Sequence, residues 1–212
     1  MSKKDAVLNW PGGAGWLVMT GGGDDPLGDL RGYALNFIMT DGGVAYVGFD
    51  NDDHEDLIED LGELGAPTGY LVNVMTEDDD TIREMLTDSS MVLLPDVPFD
   101  YLYSAMQGAG IEGLLAAYAR GAVILAEGQA ATLFGQVMPN GVRGLAWLEN
   151  TFIVPSVTSL KESQLAREAL DAGAASYVIS VGPESALALG PKGRIETLGK
   201  KEVTIALGGQ HA

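Results

Sequence analysis

Residues 121–135, Gly-Ala-Val-Ile-Leu-Ala-Glu-Gly-Gln-Ala-Ala-Thr-Leu-Phe-Gly, carry the arrangement most suggestive of chemistry in this chain. Ala122 to Ala126 is an apolar run of strand length, Glu127 and Gly128 make a sharp turn, and a small-residue helix is expected from Gln129. Strand, tight turn and helix together form a nucleophile elbow. Its apex side chain stands above the sheet, with backbone N–H groups beside it that hold negative charge. The expected apex is Gly128, which brings no nucleophile. What remains at the turn is the Glu127 carboxylate and the Gln129 amide.

Other reactive side chains are sparse or acidic. The chain has no cysteine, which removes thiolate catalysis, disulfides and cysteine-held zinc. Its histidines are His54, in an acidic helix start that suits a solvated side chain, and His211, next to the last residue. No serine falls on a strand-turn-helix apex beside an obvious base. Acidic residues, in contrast, recur after each expected strand: Asp24 and Asp25, then Asp50, Asp52 and Asp53, then Glu77 to Asp80, then Asp96, then Glu127. The runs at 50–56 and 77–80 have a plain explanation, since acids in the first turn of a helix are favoured by its dipole. Asp24, Asp25, Asp96 and Glu127 sit on turns near the sheet centre. Together they could hold a divalent cation or an amine. No EF-hand loop is present, because residues 50–56 lack its glycine and distal glutamate.

Periodicity supplies the elements that would position these groups. Trp16 to Thr20 reads as a strand leading into Gly21-Gly22-Gly23-Asp24-Asp25-Pro26, which lacks the lysine ending of a phosphate loop. Leu30, Tyr33, Ala34, Phe37 and Ile38 mark a helix, and Val44 to Phe49 a strand. Leu57, Ile58, Leu61 and Leu64 mark the next helix, with Gly65 as its C-cap. Tyr70 to Met75 is a strand, Ile82, Met85 and Leu86 a helix face, and Met91 to Leu94 a strand. Pro95 to Asp100 reads as a loop, and Ile111, Leu114, Leu115, Tyr118 and Ala119 as a helix that Gly121 ends. Phe152 to Val157 is a further strand, and Ser159-Leu-Lys-Glu162 a capping box opening a helix to about Ala172. Four short β runs follow, Tyr177 to Val181, Ala186 to Leu189, Arg194 to Leu198 and Glu202 to Leu207, and their turns suggest antiparallel hairpins.

Strand-helix alternation with short connections implies an α/β fold with a mainly parallel sheet covered on both faces, its ligands bound at the carboxyl ends of the strands. A length of 212 residues suits a single domain, 1–212, with an N-terminal arm at 1–13 and a β-hairpin tail at 176–208. The 30 acidic residues against 12 Lys and Arg give a net charge of −18, which argues against nucleic acid. That charge also suits solubility or a salty cytoplasm. No apolar run is long enough for a membrane helix, and residues 1–16 do not read as a signal peptide, so a cytoplasmic location is expected.

Thr20-Gly-Gly-Gly23, Gly121-Ala-Val-Ile124, the helix after Val157, Glu184-Ser-Ala-Leu-Ala-Leu189, Arg194-Ile-Glu-Thr-Leu-Gly199 and Val203-Thr-Ile205 together resemble the dipeptidase E and cyanophycinase family of serine peptidases. The resemblance spans roughly residues 14–207 in order. It implies a class I glutamine-amidotransferase-like fold, three-layer α/β/α with a flavodoxin-like sheet and C-terminal antiparallel hairpins. The family's Gly-Thr-Ser-Ala-Gly-Ala elbow falls on Ala126 to Ala131, with Gly128 at the nucleophile. Its Asp-Gln-His-Phe segment falls on Val154 to Val157, with Ser156 at the histidine. Its Gly-Gly-Asn oxyanion loop falls near Asp96-Val97-Pro98, where a carboxylate opposes a developing oxyanion.

The expectation is a divergent homologue without serine-peptidase activity that keeps an acidic pocket for a small molecule, peptide or cation. Gly22, Gly23, Asp24, Asp96, Glu127, Gly128, Gln129 and Ser156 would form it. An enzyme using Glu127 and Asp96 as an acid/base pair, with or without a metal, is the alternative. A structural or interaction subunit is another, favoured if Phe134, Met138 or Trp147 fills the pocket. No cofactor is expected, a divalent cation on Asp24, Asp25, Asp96 and Glu127 being the one candidate. A homo-oligomer is compatible with any of these readings.

Overall fold

The computed structural model describes residues 8–23, 29–49 and 55–208. Asp24, Asp25, Asp50, Asp52, Asp53, His54 and His211, and the arm before Leu8, lie outside them. The chain runs β1 (Trp16–Thr20), α1 (Asp29–Leu35), β2 (Val44–Gly48), α2 (Glu55–Glu63), β3 (Gly69–Asn73), α3 (Asp79–Thr87), β4 (Met91–Leu94), α4 (Phe99–Ala105), α5 (Ala109–Arg120) and β5 (Val123–Ala126). A 3-10 turn (Gly128–Phe134) follows, then β6 (Thr151–Pro155), α6 (Gln164–Asp171), β7 (Tyr177–Val181), β8 (Ser185–Leu189), β9 (Ile195–Gly199) and β10 (Val203–Leu207).

Seven strands form the main sheet in the order β3-β2-β4-β5-β1-β8-β9. The five from β3 to β1 are parallel, and β8 and β9 complete the edge antiparallel. The order β3-β2-β4-β5 repeats the start of a flavodoxin-like sheet, with β1 in the fifth place. Alternation along each strand divides the core. Leu17 and Met19 of β1, with Val92, Leu94, Ile124 and Ala126, face α3, α4 and α5; Trp16 and Val18, with Met91, Leu93, Val123 and Leu125, face α1 and α2. A parallel strand covered on both sides must be apolar at every position, which is why β1, β4 and β5 are continuous buried runs.

The tail departs from the expected row of hairpins. β8 and β9 pair as a hairpin in the main sheet, whereas β7 joins a second sheet, β10-β7-β6, parallel to β6 and antiparallel to β10. The polypeptide therefore changes sheet between Val181 and Ser185. Side-chain alternation is the same in either sheet, so local pattern could not assign the partner.

Three smaller differences have local causes. α4 begins at Phe99, inside the segment read as a loop, because Pro98 supplies a fixed φ and no missed donor at a helix start. Ser159 caps only a short 3-10 turn through Lys161 N–H, and Ser163 is the N-cap of α6, accepting from Ala166 N–H. α1 stops at Leu35, and Phe37 stacks on the Trp16 ring from beyond its end. At α3 the acidic run does what its dipole explanation requires: Asp78 accepts N–H from Asp80 and Thr81, and the Thr81 bonds hold its carboxyl below the usual range. Among the described residues no helix is long and apolar enough to cross a membrane.

Tyr118 of α5 is buried, packs against Trp147 and donates its hydroxyl to Pro11 O at 3.1 Å. Burial pushes its pKa from 10.0 up to about 12. The folded state then holds this proton more tightly than the unfolded chain, so its contribution is intact below pH 10 and is lost as pH rises toward 12. The melting temperature of the native chain is expected to fall more steeply across that window than that of Tyr118→Phe. Parallel pH curves for the two proteins would contradict this.

Candidate functional site at the strand-turn apex

Three neighbouring strands, β4, β5 and β1, end at the same rim of the sheet. Their exits bring together Asp96 after β4, Glu127 and Gly128 after β5, and Thr20 to Gly23 after β1. Residues far apart in sequence thus meet because the strands that precede them are adjacent.

The turn has the geometry of an elbow. Glu127 is extended, with φ −92° and ψ 133°, and Gly128 turns to φ +51° as the first residue of the 3-10 turn. The expected helix is therefore tighter than an α-helix. Ala130 N–H bonds to Glu127 O and Gly135 N–H to Thr132 O, an i to i+3 pattern. The turn is seated by burial: Gly128 and Ala130 to Phe134 are all buried, and only Gln129 is exposed.

Both backbone donors at the apex have acceptors within the protein. Gly128 N–H reaches Thr20 Oγ1 at 3.3 Å, and Gln129 N–H donates to Asp96 Oδ1 at 2.8 Å. The Asp96 carboxylate lies over the apex so closely that a Cβ added to Gly128 would overlap it. The other Asp96 oxygen, Oδ2, is turned toward Gly22, itself at φ +69°. Asp96 thus occupies the space that an apex side chain would fill.

Glu127 is held by a residue that sequence reasoning missed. Arg31 of α1 meets it bidentately, Nε to Oε1 at 2.8 Å and Nη2 to Oε2 at 2.9 Å, with side chains 27% and 15% exposed. Such a pair is stronger than an open surface bridge because the planar fork matches the carboxylate and solvent is partly excluded. The available signal was isolation: Arg31 is the one Lys or Arg between Lys4 and Arg83. A double-mutant cycle of Arg31→Met and Glu127→Gln in urea unfolding is expected to give a coupling of about 1–2 kcal/mol. Additive losses would mean that the two side chains are independent.

Ser156 follows β6 at φ +61° and donates its hydroxyl to Gly21 O at 2.5 Å, tying the second sheet to the glycine loop. Gly21 also allows close passage there, since a Cβ on it would strike the Gly182 backbone. The cleft between these segments has a volume of about 200 Å³ and is lined by Thr20, Gly22, Gly23, Leu30, Arg31, Asp96 and Glu127. Of the sequence-derived ligand set, Gly22, Gly23, Asp96 and Glu127 line it, Gly128 and Gln129 adjoin it behind the Asp96 carboxylate without lining it, and Ser156 braces the glycine loop. Asp24 is outside the described residues, as is Asp25. Among the described residues no group of three Asp, Glu or His side chains is placed to hold a metal ion. Phe134, Met138 and Trp147 belong to the core beneath and do not line the cleft.

No family sequence model matches the chain, and no curated protein matches it. Solved structures do. A peptidase from an acI-B1 Actinobacterium superposes with a TM-score of 0.71 at 15% identity, covering 93% of this chain and 96% of that one. The chain has a peptidase E-like fold. A putative peptidase E protein from Listeria monocytogenes EGD-e also matches, with a TM-score of 0.64 at 12% identity, over 87% of this chain and 98% of that one. Identities this low, over nearly the whole of each chain, speak for the peptidase E-like architecture alone.

Proposed function

We propose that this chain is a non-catalytic peptidase-fold protein that uses the cleft at the elbow to bind a small molecule or peptide through an amine. The observation that carries this reading is the Asp96 carboxylate on the Gln129 N–H, over a glycine apex. In acyl transfer the donor beside the apex stabilises a developing oxyanion, and a resident carboxylate both takes that donor and repels the charge. The same carboxylate leaves Oδ2 for a cationic partner. Glu127, neutralised by Arg31, positions the wall of the cleft and adds no free negative charge.

Thermal-shift titration with primary amines, free amino acids and dipeptides tests this function. A saturable rise in melting temperature is expected with an amine ligand, since binding to the folded state stabilises by mass action. Asp96→Asn should abolish it, whereas Glu127→Gln should weaken it. Absence of any shift at millimolar ligand, or a shift indifferent to Asp96→Asn, would overturn the reading.

A further inference from the structure

A second cavity lies at the opposite end of the main sheet from the elbow. β1 leads from Trp16 toward the elbow at Thr20. Residues 8–13 precede it, beside the turn that joins β8 to β9. Between those two segments is a cavity of about 520 Å³, walled by Trp10, Pro11, Gly190, Ile195 and Ile205, with Lys192 at its edge. This volume falls within the roughly 300–1,000 Å³ of small-molecule sites.

The walls are fixed by contacts over long sequence distances. Trp10 Nε1 donates to Gly190 O at 3.2 Å, and Pro11 O accepts the Tyr118 hydroxyl. Gly190 N–H closes the facing turn on Arg194 O at 2.8 Å. The apolar groups around the cavity are incompletely covered, with Ile195 51% and Ile205 40% exposed. Charge supplies the rest of the recognition. Lys192 lines the cavity and Arg194 follows on the same turn, two basic residues in a protein with net charge −18. Arg194 pairs with Glu196, while Lys192 has no ion pair among the described residues.

We infer that this cavity binds an amphipathic carboxylate, an aliphatic or aromatic acid. Its apolar body enters between Trp10, Pro11, Ile195 and Ile205, and its carboxylate meets the Lys192 ammonium. An apolar cavity with one placed cation selects for a molecule with both features. The acidity of the chain as a whole makes this selectivity diagnostic, because non-specific adsorption to a strongly negative protein favours cationic amphiphiles.

Tryptophan fluorescence and calorimetric titration with octanoate, decanoate and dodecanoate below their micellar concentrations test the site, with decanol and decylamine as controls. Saturable one-to-one binding of the acids is expected, tightening with chain length, with the alcohol and amine at least tenfold weaker. Lys192→Glu should weaken decanoate at least tenfold and Lys192→Arg should retain it; Lys192 is exposed, so both variants should fold. Ile205→Asp, on an exposed edge strand, should also abolish binding. Equal binding of acid and amine, no saturation with any acid, or an unchanged affinity in Lys192→Glu would overturn the assignment.

Discussion

Gly128→Ser is expected to lose about 2.5–5 kcal/mol of stability and to gain no hydrolytic activity. Two costs combine. A residue with a Cβ at φ +51° pays about 1–2 kcal/mol for the left-handed conformation. Its Cβ also displaces the Asp96 carboxylate, which must swing out and give up the Gln129 N–H bond, a charge-assisted contact of about 1.5–3 kcal/mol. The carboxylate is the far end of a short flexible side chain, so the overlap is relieved by rotation and need not unfold the turn. Removing that group first should therefore soften the second cost. In the Asp96→Gly background, Gly128→Ser should cost about 1–2 kcal/mol, the conformational part alone. Urea unfolding of the four proteins measures this, and additive losses would remove Asp96 from the account of why the apex is glycine. A serine installed at the apex still lacks a histidine base, since the described residues around the cleft include no histidine.

A loss of similar size is expected from Phe134→Ala, about 3–5 kcal/mol, because a fully buried aromatic is removed and the space closes only partly. Phe134 ends the 3-10 turn and meets Trp147 edge to face, with ring centroids 5.0 Å apart. Its carbonyl accepts Leu148 N–H at 2.9 Å, and Leu133 O accepts Leu145 N–H at 2.7 Å, so the turn is stitched to the segment before β6. A 3-10 turn of seven residues has little stability of its own. Phe134 is the largest of the buried side chains, Ala130 to Phe134, that seat the turn beneath Asp96. Gln129→Ala, at the exposed position of the same turn, should stay within about 0.5 kcal/mol of the native chain. Urea midpoints with unchanged slopes would report both values. Comparable small losses for the two would show that the elbow is held by something other than this burial.

The parallel core was legible because burial on two faces leaves only one solution for strands such as Trp16-Leu-Val-Met-Thr20 and Val123-Ile-Leu-Ala126, a continuous apolar run. The rule that ligands gather at strand ends put Asp96 and Glu127 on one rim, and the elbow and glycine-loop readings added Gly128 and Gly22; their meeting depends on β4, β5 and β1 being neighbours. What escaped was decided by contacts across the chain. Arg31 lies 96 residues from Glu127, and nothing in its own helix tells which carboxylate it faces. The partition of β7 and β8 into different sheets depends on which core each apolar face meets, since both have the same alternation. The turn after β5 has helix-forming small residues, and its 3-10 geometry, buried from Ala130 to Phe134, is not written in that composition. Asp96 was expected to repel an oxyanion. Its geometry is more specific, with one oxygen seated on the amide that an oxyanion would need.

The most direct test of a binding cleft in place of a catalytic one is intact-mass measurement after incubation with a serine-directed fluorophosphonate. Such a probe captures any serine that a base and an oxyanion hole activate, whichever position it occupies. The unmodified mass is expected after prolonged incubation, with the protein still folded. A stoichiometric, saturable adduct on a single serine would contradict a purely binding role and reveal an activated nucleophile elsewhere than Gly128.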